Sequence, residues 1–125
     1  TVKRVLLVED NDLNSEIAKE IIGMTGAEVV TAENGKTAVD MISSRSEGDF
    51  DLIFMDIQMP VMNGYEATAA IRTSNIPAAR SVPIVAMTAN AFAEDVQLAR
   101  SAGMNEHISK PLDMTRLRDV MRKWL

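Results

Sequence analysis

The chain has 125 residues, of which 46% are hydrophobic and 25% charged; this is the make-up of one soluble globular domain able to bury about two-thirds of its unfolded surface. Thirteen basic residues against 18 acidic ones give a net charge of −5 with no Lys/Arg run, which argues against direct nucleic-acid binding. There is no cysteine and no apolar stretch near the ~18 residues of a membrane span, so thiol chemistry, disulfides and a spanning helix are excluded; no membrane contact by this domain and a cytoplasmic setting are expected.

In chain order, the apolar run Val5 to Val8 predicts a first strand that ends in Glu9-Asp10. Leu13, Ile17, Ile21 and Met24 follow at helical spacing, and Gly26 stops that first helix. Glu28 to Thr31 predicts a second strand, and Val39, Met41 and Ile42 mark a second helix that starts after Asn34-Gly35. Ser43 to Asp49 reads as a polar turn before the run Asp51-Leu52-Ile53-Phe54-Met55-Asp56, a strand that ends in a carboxylate and leads into Ile57-Gln58-Met59-Pro60. Asn63 and Glu66 have capping-box spacing, and Tyr65, Thr68 and Ile71 mark a third helix. Ser74 to Ser81 is expected as a loop, then Pro83 to Met87 as a buried strand running into Thr88. Phe92, Val96 and Ala99 give a fourth helix ended by Gly103, Glu106 to Ser109 a short fifth strand running into Lys110-Pro111, and Leu117, Val120, Met121 and Trp124 the apolar face of a last helix from near Asp113.

Strict alternation of strand and helix with near-continuous apolar strands predicts an α/β domain, a parallel sheet covered by helices on both faces. Spacing alone leaves the strand order open. Residues 1–125 are expected to form a single domain, and the opening on Thr1 with a strand close behind it suggests a larger parent protein. In open sheets of this type ligands bind beyond the carboxyl ends of the strands. Glu9, Asp10, Asp56, Thr88 and Lys110 all fall at such ends.

Three carboxylates drawn together repel, each pair at ~5 Å by roughly 3 kcal/mol at an effective dielectric of 20. Such a cluster calls for a cation, and all-oxygen ligands favour a hard ion such as Mg²⁺, which keeps several waters and bridges to phosphate oxygens. Lys110 and Thr88 supply an ammonium and a hydroxyl for other phosphoryl oxygens. With no Cys, and no catalytic His at these ends, a carboxylate is the expected nucleophile and Asp56 the candidate for an aspartyl-phosphate.

Glu9-Asp10, Asp56, Thr88 and Lys110-Pro111, in that order and spacing, resemble the receiver domain of two-component response regulators over essentially the whole chain. That resemblance implies a doubly wound, flavodoxin-like (βα)5 three-layer sandwich whose five-stranded parallel sheet has the order 2-1-3-4-5. It further implies that Asp56 accepts phosphate from a partner phosphohistidine, and that Asp10, Asp56 and the Gln58 backbone carbonyl ligate Mg²⁺, with Mn²⁺ as an alternative ion. Glu9 would hold metal-bound water, Lys110 and Thr88 would take the phosphoryl oxygens, and the Lys110-Pro111 bond would be cis. Gln58 and Asn90 would tune phosphate lifetime. Where the family often has an aromatic switch residue, three before the lysine, this chain has His107.

The segments Val8-Glu-Asp-Asn11, Met55 to Gly64 and Ala86 to Phe92 are similar to receivers attached to hybrid sensor histidine kinases. The implied partners are a histidine kinase, a histidine-phosphotransfer domain, or both, with Leu13, Asn14 and Ile17 as docking contacts; a membrane-anchored parent is compatible with the resemblance. Such a domain assists its own phosphorylation and dephosphorylation, and phosphate would bias the surface of the fourth helix, fifth strand and last helix.

Blander readings compete at each position. Asp56 alone is an ordinary turn former, Glu9-Asp10 an ordinary acidic start to a helix, Thr88 a packing residue, Lys110 a surface amine; in combination they become specific. His107 fits a partly exposed surface position and is not assigned a catalytic role. Gly35-Lys36-Thr37 resembles the end of a P-loop, but that motif needs a glycine where Val30 stands. The nine methionines read as filler. Two rival functions stand: a phosphatase or phosphotransferase acting on a small metabolite through an aspartyl-phosphate, which commonly carries a second Asp where Gln58 lies, and a receiver-like docking module that is never phosphorylated.

Overall fold

The computed structural model describes residues 3–44, 50–88, 93–110 and 112–125. Five strands, β1 (Arg4–Val8), β2 (Glu28–Ala32), β3 (Leu52–Asp56), β4 (Ile84–Thr88) and β5 (Glu106–Ser109), form one parallel sheet in the order β2-β1-β3-β4-β5. The order implied by the resemblance is the order found. Every residue of β3 and β4 is buried, as required of central strands covered on both faces.

Six helices occur among the described residues: α1 (Asp12–Gly23), α2 (Gly35–Ser44), α3 (Gly64–Arg72), α4 (Pro77–Ser81), α5 (Ala93–Ala102) and α6 (Met114–Trp124). One core layer packs Ala38 and Ile42 of α2, Ala67 and Ile71 of α3 and Ala99 of α5 on one face of the sheet. The other packs Ala18 and Ile22 of α1 with Leu117, Val120 and Met121 of α6 on the opposite face. The result is a doubly wound three-layer sandwich.

Several expectations need correction. Ser43 and Ser44, read as the start of a polar turn, are the end of α2, and the rest of that turn, 45–49, lies outside the described residues. Ser74 to Ser81 is not wholly loop: Pro77 sits at the start of the five-residue α4, where its locked φ and missing N–H fit a first helical turn. The inward side of α1 is Ala18 and Ile22, with Ile21 half-buried, whereas Leu13, Ile17 and Met24 are exposed. Pro83 precedes β4, and Thr88 is itself the last residue of that strand. Asn90, Phe92 and Pro111 lie outside the described residues.

A clamp at the far end of α3 ties together the core layer formed by α2, α3 and α5. Arg72 donates to the carbonyls of Gly103 (3.0 Å) and Ala79 (3.1 Å) and to Asn105 Oδ1 (2.8 Å), and that oxygen also accepts from Ile84 N (2.9 Å). One guanidinium thus links α4, the α5–β5 turn and the start of β4. Thr68 of α3 is fully buried, and its hydroxyl has no hydrogen-bond partner among the described residues. Thr68→Val removes that desolvated group at nearly constant shape, so a gain of about 1 kcal/mol is expected, read by calorimetry as a melting temperature about 3–5 °C higher. An unchanged or lower value would mean that the hydroxyl is satisfied.

Candidate functional site

The parallel sheet brings the carboxyl ends of all strands to one edge, and the crevice lies where the chain, having run from β1 outward to β2, returns to β3 on the other side. A cleft of about 790 Å³ opens there, and Glu9, Asp10, Asp56, Gln58, Thr88 and Lys110 all line it. The sequence separates these residues by up to a hundred positions; the fold puts them around one space.

Glu9 and Asp10 leave the end of β1. Glu9 is buried and Asp10 exposed. Glu9 Oε1 accepts from Asn11 N (3.2 Å), while Asn11 Oδ1 caps α1 by accepting from Asn14 N (2.9 Å). The acidic turn is therefore held rigidly over the helix start, where negative charge is favoured. Asp56, 3% exposed, is the last residue of β3. Its neighbourhood requires a glycine at position 64, because a Cβ there would collide with the Asp56 carbonyl oxygen and lie 2.9 Å from Ile57 Cα. Thr88 is buried, and its carbonyl accepts from Lys110 N (2.8 Å), which fixes the two strand ends to each other.

Carboxylate oxygens of Glu9, Asp10 and Asp56 lie within 4.8 Å of one another. Lys110 Nζ is 3.0 Å from Asp56 Oδ1 and 3.1 Å from Glu9 Oε2. One ammonium thus serves two buried acids, with a third nearby. Burial drives the Asp56 carboxyl upward, Lys110 pulls it back, and the Glu9 charge adds to the rise, leaving it at about 6. Burial alone would lower the Lys110 ammonium, but Asp56 and Glu9 outweigh it and hold that group above the ordinary lysine value. The pocket has more negative charge than its own cation can balance. Its donor set of three carboxylates, in a cleft that Gln58 also lines, fits a hard divalent ion.

The short Glu9–Lys110 bridge has no signal in the sequence, nor does the presence of Asn63 and Tyr65 in the lining of the cleft. The capping box is as expected: Asn63 Oδ1 accepts from Glu66 N (2.9 Å) and Glu66 Oε1 from Asn63 N (3.1 Å). His107 lies away from the cleft, half-buried on the edge strand β5, its carbonyl accepting from Arg116 (3.3 Å). Gly35-Lys36-Thr37 is the first turn of α2, capped by Asn34, whose Oδ1 accepts from Thr37 N (2.9 Å).

The family model described as "Response regulator receiver domain" matches residues 5–122. The chain belongs to that family. This receiver is 39% identical over 122 residues to the sensor protein GacS of Pseudomonas syringae pv. syringae, covering 97% of this chain and 13% of that protein. It is 35% identical over 125 residues to hybrid signal transduction histidine kinase L of Dictyostelium discoideum, covering 97% of this chain and 7% of that protein. The receiver therefore spans only a small part of these curated relatives. Among solved structures it is similar to the receiver domain of sensor histidine kinase PA1611 from Pseudomonas aeruginosa PAO1, described with a magnesium ion coordinated in the active site cleft: TM-score 0.88, 34% identity, covering 99% of this chain and 98% of that one. Vibrio cholerae chemotaxis protein CheY4 superposes with a TM-score of 0.89 at 26% identity, with both chains fully covered. No helix among the described residues is long and apolar enough to cross a membrane.

Proposed function

We propose that this receiver takes a phosphoryl group from a partner's phosphohistidine onto Asp56 in a Mg²⁺-dependent step. The observation that carries the reading is the convergence of three carboxylates, a hydroxyl and an ammonium on one cleft. Asp10, Asp56 and the Gln58 carbonyl are the assigned metal ligands, with Glu9 acting through a metal-bound water; Mn²⁺, with similar oxygen preference, is expected to substitute. When bound, the ion neutralises charge on the phosphoryl oxygens and on the pocket's own acids.

In the transfer, an Asp56 carboxylate oxygen attacks phosphorus in line, the O–P bond forms as the P–N bond of the phosphohistidine breaks, and the bonding pair leaves with the imidazole nitrogen. Lys110 moves its charge from Asp56 to a phosphoryl oxygen, and the Thr88 hydroxyl donates to another. Gln58 and Asn90 are assigned to positioning or excluding the water that later hydrolyses the acyl phosphate. The added charge of about −2 with three acceptor oxygens then biases the surface of α5, which follows Thr88, and of β5 and α6, which flank Lys110; His107 lies on β5.

The upstream partner is assigned as a histidine kinase, and the relay partner as a histidine-phosphotransfer domain. Leu13 (69% exposed) and Ile17 (46%) present an apolar strip on α1 beside the cleft, with Asn14 lining its mouth. Exposed leucine and isoleucine next to a polar pocket suit a helical partner that carries a single reactive histidine. A cytoplasmic setting and no direct nucleic-acid contact complete the reading. The metabolite-phosphatase alternative is not favoured: Gln58 stands where that chemistry commonly uses a second Asp, and the relatives are signalling kinases.

The test is incubation with Mg²⁺ and acetyl phosphate followed by intact-mass measurement. Wild-type protein is expected to gain one phosphoryl group, and Asp56→Asn none. A gain that survives Asp56→Asn, or that occurs equally in EDTA, would defeat the proposal.

A further inference from the structure

The segment between β3 and α3, residues 57–63, is pinned at both ends. Ile57 N donates to Met87 O (3.2 Å), and Gly64 N returns to Ile57 O (2.8 Å), so the chain leaves Asp56 and comes back directly upon it. Between these anchors Met62 N donates to Pro60 O (2.8 Å), a three-residue closure centred on Val61, whose φ is +71°. That is the positive-φ form of the γ-turn, which is rare and strained. Valine, branched at Cβ, is among the residues least suited to it.

Nothing local compensates Val61 for this conformation, since it is 77% exposed and its side chain is not part of the cleft lining. The brace is elsewhere. At the start of α2, a Cβ on Gly35 would lie 2.6 Å from the Met62 carbonyl oxygen and 3.2 Å from Met62 Cγ, so the glycine lets α2 close directly against the turn. On the other side, Pro60 enters with its φ already locked. A strained backbone maintained by its surroundings, one residue beyond a cleft-lining segment, points to a role in the site.

We propose that Val61 is a positioning residue: the turn centred on it shortens the return leg of the loop, holds Gln58 to Pro60 at the rim of the cleft, and thereby sets the affinity of the acid pocket for Mg²⁺. This inference rests on the metal-dependent reading above. It assigns the effect to backbone conformation, not to the exposed isopropyl group.

Three variants separate the two. Titration calorimetry with MgCl₂ is expected to find Val61→Gly and Val61→Asn within about twofold of wild-type affinity, because both residues accept positive φ. Val61→Pro, fixed near φ −65°, cannot form the turn and is expected to bind Mg²⁺ about tenfold or more weakly with an unchanged far-UV circular dichroism spectrum. In EDTA, Val61→Asn should melt about 2–4 °C above wild type as strain is relieved. Wild-type Mg²⁺ affinity in Val61→Pro overturns the inference, as does equal loss in Val61→Gly and Val61→Pro. Should Val61→Pro fail to fold, a lower melting temperature for Val61→Asn overturns it independently. Wild-type protein that binds no Mg²⁺ overturns the proposed function and this inference with it, an outcome distinct from failure of the variants alone.

Discussion

Replacing Lys110 with Met is expected to destabilise the metal-free receiver by about 3 kcal/mol at pH 8, in line with removal of one partner from a buried ion pair. Lys110 Nζ lies within 3.1 Å of both Glu9 and Asp56, and those two side chains are only 3% and 4% exposed. Without the ammonium, two desolvated carboxylates face each other with Asp10 alongside. Methionine keeps most of the packing of the aliphatic stem, so the loss reports charge and not volume. Two features distinguish this from generic damage. The deficit should shrink as pH falls and Asp56 takes up a proton, and it should shrink when millimolar Mg²⁺ is added, because a ligand that binds only the folded state stabilises it in proportion to the logarithm of its concentration. Urea unfolding followed by circular dichroism, with EDTA or MgCl₂, measures both. A loss that neither acid nor Mg²⁺ reduces would show that Lys110 acts by packing alone.

The positions of these groups were legible in the sequence because a central strand of a parallel sheet is apolar along its length and admits a charged group only at its end, where that group can face the crevice. An apolar run such as Leu52 to Met55 must therefore end where Asp56 appears, and the same logic places Glu9 after Val8 and Thr88 at the end of β4. The strand order was not legible from spacing; it came with the resemblance. Helix faces were less legible where small residues do the packing. On α1 the buried pair Ala18 and Ile22 is nearly silent in a hydrophobic pattern, whereas Leu13 and Ile17 dominate it and lie outside. Their exposure suits the partner-docking surface proposed above.

Features made by long-range contact were beyond reach of the sequence. Arg72 meets Gly103 and Asn105, more than thirty positions away, and nothing in its neighbours signals that a guanidinium will close three elements together. Gly35 borders a helix start and reads as a turn residue, yet its lack of a side chain answers to Met62 in another loop. Val61 is illegible for the opposite reason: valine favours extended backbone, so its positive φ contradicts local preference and must be imposed by tertiary structure. Conflicts of this sort between local preference and fold concentrate near functional sites.

Asp56→Asn is expected to act in the opposite direction from loss of Lys110, stabilising the metal-free receiver at pH 8. The folded-state carboxyl sits at about 6 against an ordinary 3.8, with burial the first cause, Lys110 opposing it and the Glu9 charge adding to it. Between those two values the native protein binds a proton that the unfolded chain has released. Wild-type stability therefore falls as pH rises through this window and stays reduced above it. The gap corresponds to about 3 kcal/mol at most. Part of it is offset in the variant because Lys110 loses one of its two acceptors, leaving a net gain of about 1–2 kcal/mol above pH 7. As pH falls toward 4, Asp56 is neutral in the folded protein and starts to take up a proton in the unfolded chain, so the two stabilities should approach each other. Added Mg²⁺ should reverse the ranking at pH 8, since wild type binds the ion through Asp56 and the variant has lost that ligand. Denaturant unfolding from pH 4 to 8, with and without MgCl₂, checks each sign. Parallel stability curves for the two proteins across that range would mean that ionised Asp56 carries no cost in the folded state, and that the pocket is not short of positive charge.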